Sequence, residues 1–445
     1  MCNWRGRLSA SGIQLLSGRA GANLAEDSFL GDDFIRQLMS VGEVDLLVGI
    51  PSYHNAVTIA QTVRAIEESV RQNFVRDRVA IVNVDGGSTD NTTEVFLESD
   101  RRKGFDRRGL TSLRTIDRVS WQYGKTPSLG MAVRTIVAAA DLLQARSCAV
   151  VSSTTIDLTA SWVTNLLRPV HKEKFEYVAP LYARNRYEGL LSRNLLYPIV
   201  RAIFGLRMRE VYSDDWAFSG RLAAQCWDQD VWAEDPVRVR PEAWMAITAM
   251  CSGYRCCQSF LGQKGAPTVG GVDTVEAIRQ TVGNLFWCME RYQEHWLDRG
   301  GSQPVPTFGP EHEILNNGTP SNPEKIFELF RTGVAELESV LASILGPETH
   351  RQLNGIASQD AEKFRFGCEL WVRALYEFAA SYHHAVINRD HLVQALVPLY
   401  RGRLYSYLLQ HAHSSAEEME ADSELLCLEF ERQKPYLIEK WKAKS

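Results

Sequence analysis

Two apolar runs, with a helical pattern between them, organise the first third of the chain. The run from Val44 to Ile50 is mostly aliphatic and ends at Pro51, and Val79 to Val84 has the same character. Runs of this length without polar alternation are typical of strands that are buried on both faces. From Val57 onward, apolar residues recur at helical spacing, which predicts an amphipathic helix. The pattern predicts two parallel strands joined by a right-handed helical crossover.

The polar loop after each strand is the first candidate for function. Parallel strands place both loops at the carboxyl edge of the sheet, where open α/β sheets bind ligands. The second loop, Asp85 to Asp90, combines hydrogen-bond-accepting carboxylates with glycines that let a ligand approach the backbone, which suits a nucleoside. The alternative is a simple turn that caps the next helix. No GxGxxG follows either strand and the chain has no GxxxxGK[ST], so neither a dinucleotide site nor a P-loop is indicated.

Further apolar runs extend the α/β pattern, and the last third of the chain is helical throughout. A Pro-, Gly- and Asn-rich interruption separates the two regions. We therefore predict an α/β fold with a mostly parallel sheet and flanking helices, followed by a helical C-terminal domain. The predicted units are an N-terminal tail with a short helix (1–43), the α/β domain (44–293), a linker (294–321) and the helical domain (322–445).

Composition narrows the class of protein. The chain has 445 residues, of which 45% are hydrophobic and 23% charged, as in ordinary globular proteins. A net charge of −5 argues against a general nucleic-acid binder. The nine cysteines form no CxxC and no zinc-ligand spacing, which predicts reduced core residues in a cytoplasmic protein. We find no signal-peptide pattern and no apolar run long enough to span a membrane.

The two loops carry a family resemblance. Nucleotide-sugar glycosyltransferases of GT-A type open with V-x-I-P-x-x-N, followed by V-D-[DG]-G-S-x-D-x-T. The matching residues here are Val48, Ile50, Pro51, Asn55, Val84, Asp85, Gly86, Gly87, Ser88, Asp90 and Thr92. Later segments, including Ala179 to Gly205 and Phe218 to Ala224, look like bacterial glucosylglycerate synthases and their mannosylglycerate-synthase relatives. The resemblance covers most of Asp45 to Trp441.

The resemblance implies a GT-A-type domain over 44–293 and a set of residues that contact the nucleotide sugar. Those residues are Pro51, Tyr53, Asn55, Asp85, Gly87, Lys125, Gly130, Ser152 and Thr154. The family's phosphate-binding P-G-K-G is matched by 127–130, where Leu129 stands in place of the lysine. Lys125 either serves the same phosphate or is an unrelated surface lysine.

The family's metal site has no counterpart in this sequence. The Asp-x-Asp pair that holds Mg²⁺ or Mn²⁺ is replaced by Ser152 and Thr154, and the metal-binding histidine is absent from Gly262 to Val272. Neutral hydroxyls are weak ligands for hard divalent ions, and Asp157 is the only acid nearby. We therefore predict no metal and no other cofactor. Lys264 either supplies a positive charge for the diphosphate or is a solvated loop lysine.

The resemblance also implies an acceptor site and catalytic carboxylates. A strand is predicted from Tyr177 to Leu181, and Tyr182, Arg184 and Arg186 are expected in the loop after it. Arg184 and Arg186 are candidates to bind a small anion such as glycerate through bidentate forks, although either could instead hold Glu188 or a carbonyl. Asp215 matches an aspartate that faces sugar hydroxyls, but bulkier residues replace the small ones beside it. Glu242 stands for a second family aspartate, or else it is an acid favoured by the dipole at a helix N-terminus.

Two function hypotheses follow. The first is a glycosyltransferase of the glucosylglycerate-synthase type, which transfers a sugar from a nucleotide sugar to a small acceptor. The second is a non-catalytic relative that acts as a binding or subunit partner. The predicted partners are a nucleotide sugar and a small-molecule acceptor, without nucleic acid or a membrane span. The helical C-terminal block is expected to pack against the first domain or against a second copy of the chain.

Overall fold

The two apolar runs form the centre of the sheet. A computed structural model describes residues 30–98, 116–122, 127–156, 158–264, 274–310, 314–315 and 322–443. In it, Leu46–Ser52 (β1) pairs in parallel with Val79–Asp85 (β2), and Ser52 lies directly opposite Asp85. All residues of β2 are buried, and so are all but one in β1. The strand–helix–strand prediction is confirmed, and both strands end at the same edge.

Within the described residues, nine strands make up the main sheet and a separate pair makes up a second one. The further strands are β3 (Ile116–Gln122), β4 (Ser147–Val150), β5 (Tyr177–Asn185), β6 (Leu206–Arg207), β7 (Trp216–Ser219), β8 (Cys256–Gln263), β9 (Gln303–Pro304), β10 (Thr307–Phe308) and β11 (Ile314–Leu315). The order in the main sheet is β10-β8-β5-β7-β4-β1-β2-β3, and β11 pairs with β5. Every pair is parallel except those that β7 makes with β4 and β5.

Helices connect the strands and then continue alone to the end of the chain. Within the α/β region they are α1 (Asp32–Val41), α2 (Ile59–Asn73), α3 (Thr92–Glu98), α4 (Leu129–Leu142), α5 (Ala160–His171), a π-helical turn (Ser192–Leu196), α6 (Tyr197–Phe204), α7 (Gly220–Trp227), α8 (Asp235–Val239), α9 (Pro241–Cys251), α10 (Thr274–Arg291) and α11 (Gln293–Trp296). The C-terminal helices are α12 (Pro323–Glu336), α13 (Glu338–Ile344), α14 (Pro347–Ala357), α15 (Cys368–His383), α16 (Arg389–Gln410) and α17 (Ala416–Lys442). This arrangement confirms the predicted fold class.

Both faces of the sheet are covered, which explains the unbroken apolar runs. Neighbouring residues of a strand point to opposite faces, so Leu47 and Val48 belong to different clusters of core residues. Helices α2 and α5 cover the face that carries Val48. Helix α4 and the C-terminal helices share one cluster with Leu47. The C-terminal region is therefore part of the same hydrophobic core as the sheet.

Gly49 in the middle of β1 has a packing reason. A Cβ at this position would lie 2.5 Å from the side chain of Ile136 in α4. Real Cβ contacts are not that short, so only glycine lets α4 approach the sheet this closely. The close packing fixes where α4 begins relative to the carboxyl edge.

The C-terminal helices contact the α/β region through large buried side chains. The rings of Trp296 and Trp441 meet edge to face at 5.1 Å. Arg201 of α6 is fully buried and pairs with Glu424 and Glu431 of α17. The predicted packing of the helical block against the first domain is observed. Among the helices described here, none combines the length and apolarity needed to cross a membrane.

Two expectations about the α/β region change in detail. Tyr182 and Arg184 were expected in a loop, but they lie on β5, which continues to Asn185 because β8 follows it past a bulge and β11 pairs with Arg184 and Asn185. The segment 294–321, expected to be a linker, contributes the short strands β9, β10 and β11. The division into domains itself stays a prediction.

Candidate functional site at the carboxyl edge of the sheet

The loop after β2 is built around the carboxylate of Asp85. One of its oxygens accepts hydrogen bonds from the hydroxyls of Ser52 (2.9 Å) and Ser88 (2.6 Å), and the other accepts from the backbone N–H groups of Gly87 and Ser88. Asp85 is fully buried. The carboxylate of Asp85 therefore hydrogen-bonds to groups of its own loop and of the neighbouring Ser52. Gly87, at φ +92°, provides the left-handed backbone conformation that the turn needs.

The loop after β1 is tied to the loop after β2 at three points. The backbone N–H groups of His54, Asn55 and Ala56 donate to the side chains of Ser88, Thr92 and Asp90 at 2.9, 2.9 and 3.1 Å respectively. Burial alone would raise the pKa of Asp90, but the hydrogen bonds from Thr92 and Ala56 outweigh burial and lower it. The two loops therefore form one surface at the end of β1 and β2, as their shared edge predicted.

The segment after β4 joins this surface through Ser153. Its hydroxyl lies 2.8 Å from the Pro51 carbonyl oxygen and 2.8 Å from Asn55 Oδ1, and Asn55 Oδ1 also accepts from the N–H of Tyr53. Pro51, Tyr53 and Asn55 are thereby brought together. The sequence does not identify Ser153 as a site residue, because a serine between Ser152 and Thr154 forms no distinguishing pattern.

Ser152 and Thr154, which replace the Asp-x-Asp pair of the resembled enzymes, lie close together after β4. Their hydroxyl oxygens are 2.8 Å apart and hydrogen-bond to each other. In the described ranges there is no cluster of three or more histidine, cysteine, aspartate or glutamate side chains that could hold an ion. Asp157 lies outside the described residues. The donor set present at this edge does not fit Mg²⁺ or Mn²⁺, which prefer carboxylate oxygens.

Asp215 lies beside Ser152 but is buried beneath the surface. One carboxylate oxygen accepts from the backbone N–H of Ser152 at 2.8 Å, and the other accepts from the hydroxyl of Tyr182 at 3.0 Å. Burial raises the pKa of Asp215, against the opposing effect of Lys264 and these hydrogen bonds. The carboxylate therefore orients Ser152 and Tyr182 and is itself fully buried.

Lys264 and Asp214 form an ion pair above the ring of Tyr182. The ammonium nitrogen of Lys264 is 2.6 Å from Asp214 Oδ2 and 4.9 Å from the ring centroid of Tyr182. Burial opposes the charge on Lys264, but Asp214 raises the pKa of the ammonium and keeps it protonated. In the same way Lys264 lowers the pKa of Asp214 against the effect of burial. A fixed positive charge thus lies at the carboxyl edge, next to the end of β4.

Arg184 lies on the other side of this cluster and is paired with Glu210. Its Nε and Nη2 are 3.1 and 3.4 Å from the two carboxylate oxygens, and its guanidinium is 5.1 Å from the Tyr182 ring centroid. The pairing leaves Arg184 beside a small, open pocket, which Arg193 and Arg209 also line. Because Tyr182 and Arg184 are two residues apart, they share one face of β5. Had the strand been predicted to continue to Asn185, this alternation would have placed the side chain of Tyr182 beside that of Arg184.

Arg186 has a different role. Its guanidinium donates to the backbone carbonyls of His411, Ala412 and Ser414, in the turn between α16 and α17. The structure therefore uses Arg186 to hold the C-terminal helices, which matches the alternative of a carbonyl partner. It does not bring Arg186 and Arg184 together on one anion.

Glu242 is fully buried at the start of α9. Its Oε1 is 3.5 Å from Arg240, while Oε2 has no hydrogen-bond partner among the described residues. Burial raises the pKa of Glu242 to about 7, against the opposing effect of Arg240. A carboxyl group of this kind changes its charge near neutral pH. Its position in the first turn also fits the helix-dipole alternative.

The remaining predicted residues belong to the segment 123–130, which is only partly described. Lys125 lies outside the described residues. Gly130 is a packing glycine, because a Cβ there would be 2.4 Å from the backbone of Arg238. Leu129, in the family's lysine position, begins α4, and Ser128 caps that helix by accepting from the N–H of Met131. Contact of any of these residues with a nucleotide sugar stays a prediction.

Comparisons with known proteins give only distant likenesses. No protein-family model and no curated protein matches the chain. Among solved structures, glucosyl-3-phosphoglycerate synthase from Mycobacterium tuberculosis in complex with Mn²⁺, uridine diphosphate (UDP) and phosphoglyceric acid is 17% identical, with a TM-score of 0.40 over 58% of this chain and 82% of that one. The same enzyme with Mg²⁺ and UDP gives 17% identity and a TM-score of 0.40 over 58% and 83%. At this identity and TM-score, the likeness does not establish the activity or the ligands of this chain.

Proposed function

We propose that the chain binds a nucleotide sugar at the carboxyl edge of its sheet and transfers the sugar to a small anionic acceptor such as glycerate. The observation that supports this most directly is the joining of the loops after β1, β2 and β4 into one polar surface. Asn55 is central to that surface, since it accepts from the Tyr53 N–H and from the Ser153 hydroxyl. In an open α/β sheet this edge is where ligands bind.

Each part of the edge has a proposed role. The Asp85 loop forms the nucleoside pocket, in which the buried carboxylate holds the backbone in place and does not itself contact the base. Arg184 binds the carboxylate of the acceptor, which would share the guanidinium with Glu210. Asp215 positions Ser152 and Tyr182, and Glu242 supplies a carboxyl group that titrates near pH 7.

The proposed reaction moves the sugar from one oxygen to another. The bond between the anomeric carbon and the diphosphate oxygen breaks, and its electron pair stays on the diphosphate. A bond forms between the anomeric carbon and an acceptor hydroxyl oxygen, whose proton passes to a base or to water. The step creates negative charge on the diphosphate, so catalysis needs a positive group there.

A second candidate is a non-catalytic relative that acts as a binding or subunit partner, and one observation favours it. The Asp85 carboxylate accepts four hydrogen bonds from its own surroundings. The loop is therefore complete without a ligand, as a simple structural turn would be.

Isothermal titration calorimetry with UDP and GDP, with Mn²⁺ or with EDTA, tests the binding step. Transfer assays with UDP- and GDP-sugars and glycerate then test the chemistry. We expect nucleoside-diphosphate binding that Asn55→Ala weakens about tenfold and that Asn73→Ala, at the opposite edge, leaves unchanged. Binding without turnover of any nucleotide sugar would support the non-catalytic candidate. Absence of nucleoside-diphosphate binding in every condition would exclude the transferase and favour the non-catalytic subunit partner.

A further inference from the structure

At the carboxyl edge, where the described residues form no cluster of metal ligands, the side chain of Lys264 is held by specific contacts. The side chain of Lys264 is 18% exposed, and its ammonium is held by Asp214 at 2.6 Å. The ammonium also lies 4.9 Å from the centroid of the Tyr182 ring, at cation–π distance. A solvated loop lysine would have neither contact, so Asp214 and Tyr182 hold the ammonium of Lys264 in a defined position.

We propose that Lys264 is the cation that binds the diphosphate of the nucleotide sugar, in place of a divalent metal ion. This inference rests on the proposed function, because it requires a nucleoside diphosphate at this edge. It assigns to one residue the positive charge that the departing diphosphate needs. It also predicts that binding and transfer proceed without Mg²⁺ or Mn²⁺.

A series of contacts connects Lys264 to the end of β4. Its ammonium lies over the ring of Tyr182, and the hydroxyl of that tyrosine donates to Asp215 at 3.0 Å. Asp215 in turn accepts from the backbone N–H of Ser152 at 2.8 Å. The lysine is therefore fixed relative to Ser152, one of the two positions where the resembled enzymes carry metal-binding aspartates.

The ammonium retains the capacity to bind an anion. A lysine has three N–H donors, and in the described part of the chain Asp214 is the only hydrogen-bond partner of this one. Asp214 is itself 53% exposed, so water can stabilise its carboxylate when a phosphate competes for the lysine. Nearby Arg184 places its Nε and Nη2 on the two oxygens of Glu210, and the proposed function assigns its guanidinium to the acceptor carboxylate.

In the transfer step, Lys264 would donate hydrogen bonds to the diphosphate oxygens. As the bond between the anomeric carbon and the diphosphate oxygen breaks, the electron pair moves to that oxygen and its charge is offset by the ammonium. The lysine keeps its proton throughout, and the acceptor hydroxyl supplies the proton that is released. A single positive charge replaces the two charges of a divalent ion, so electrostatic stabilisation is weaker but needs no added metal.

Titration of UDP and GDP into the full chain tests the proposal. We expect the wild type to bind one of them with equal affinity in EDTA and in Mn²⁺. Lys264→Met should weaken this binding by on the order of 10- to 100-fold, as expected for loss of a charged hydrogen bond. Lys264→Arg should retain binding to within about tenfold, since the guanidinium keeps the charge and phosphate-binding donors. Binding of the free nucleoside, uridine or guanosine, should not change in either variant.

Controls separate the possible failures. Lys172 is an exposed lysine at the opposite edge of the sheet, and the Lys172→Met variant should bind the nucleoside diphosphate with the affinity of the wild type. An unchanged urea midpoint for Lys264→Met would show that lost binding is not lost folding. Binding that requires Mn²⁺, or that Lys264→Met leaves intact, would overturn this inference and leave the proposed function standing. If the wild type binds neither diphosphate with or without metal, the proposed function fails and the role of Lys264 fails with it.

Discussion

The backbone N–H of Ser152 donates a hydrogen bond to Asp215 Oδ1 at 2.8 Å and thereby joins the end of β4 to the start of the antiparallel strand β7. Asp215 accepts a second hydrogen bond from Tyr182 of β5, so three strands meet on one buried carboxylate. A residue expected to face a sugar is thus a fixed point of the scaffold. The surface beside it depends on that point for its shape.

Asp215→Ala should lower the free energy of unfolding by about 3 kcal/mol. The change leaves the partly buried Ser152 N–H without its partner and leaves the Tyr182 hydroxyl with only Ser213 Oγ at 3.3 Å, and a buried polar group that loses its partner costs about 1–3 kcal/mol. Asp215→Asn should cost less, because its amide oxygen keeps one acceptor and the tyrosine hydroxyl can reverse its role. Urea unfolding measures both values. An exposed control, Asp298→Ala, should change stability by no more than about 0.5 kcal/mol. Equal losses for Asp215→Ala and Asp298→Ala would contradict the positioning role.

Arg201→Met tests how strongly the C-terminal helices are held to the α/β region. Arg201 is fully buried and pairs with Glu431, which is 17% exposed, and with Glu424, which is 43% exposed. Removing the arginine leaves a carboxylate buried without its partner, which should cost about 3 kcal/mol in urea unfolding. The cost falls below that of a fully buried pair because Glu424 can be rehydrated.

A surface ion pair on α17 provides the control for Arg201. Arg432 is 61% exposed and pairs with Glu429 in α17. Exposed pairs contribute about 0–1 kcal/mol, so Arg432→Met should have little effect. A loss for Arg201→Met that is no larger than this would show that the network does not hold the helices.

Glu242→Gln should remove a dependence of stability on pH. The pKa of Glu242 in the folded chain is about 7, against an ordinary 4.5, because burial disfavours its charge. The folded chain therefore binds the proton more tightly, and the stability that this provides at low pH is lost as pH rises from about 4.5 through 7. Relative to Glu242→Gln, the wild type should lose about 2 kcal/mol between pH 5 and pH 8.

The exposed Glu68 on α2 offers a matched comparison for that pH series. Glu68→Gln should follow the wild type in urea unfolding at pH 5 and at pH 8. Parallel curves for the wild type and Glu242→Gln would mean that the carboxyl group of Glu242 is stabilised in its charged form, against the expectation from its burial.

The sequence predicted the scaffold well because the scaffold depends on local patterns. Strands β1 and β2 are mostly apolar runs, and both are buried on both faces. The loops that follow them had to meet at one edge once the strands were parallel. The absence of a metal site at Ser152 and Thr154 stays a prediction.

The contacts that define the site were not predictable, because they join residues far apart in the chain. Lys264 and Asp214 are 50 positions apart, and neither residue type marks an ion pair by itself. Arg186 contacts carbonyls more than 220 positions away, so its motif pointed to an acceptor while its surroundings gave it a structural role. Gly130 is similar, since its close neighbour is the backbone of α8 and not a ligand. Tertiary packing decided each of these cases.

The stability of Lys434→Met, measured relative to that of the wild type, should be higher at neutral pH than at alkaline pH. The ammonium of Lys434 is buried and donates to the carbonyls of Ala202, Ile203 and Arg299 at 3.0, 3.3 and 2.8 Å. Burial and the charge of Arg299 lower its pKa to about 8, from an ordinary 10.5. Between these two values the unfolded chain binds more protons than the folded one, so stability rises with pH. The wild type should therefore gain on the order of 2 kcal/mol over Lys434→Met between pH 7.5 and pH 10.

Urea unfolding at these two pH values, with Lys442→Met as the exposed control on α17, measures the effect. The control should track the wild type at both. Because the Lys434 ammonium satisfies carbonyls at the end of α6, its replacement also removes hydrogen bonds, and that loss should be nearly the same at the two pH values. The change in the stability gap between the two pH values therefore reports proton binding by Lys434, separately from the lost hydrogen bonds. A stability gap between wild type and Lys434→Met that does not widen with pH would show that the buried ammonium stays fully protonated, held by the three carbonyls more strongly than burial opposes it.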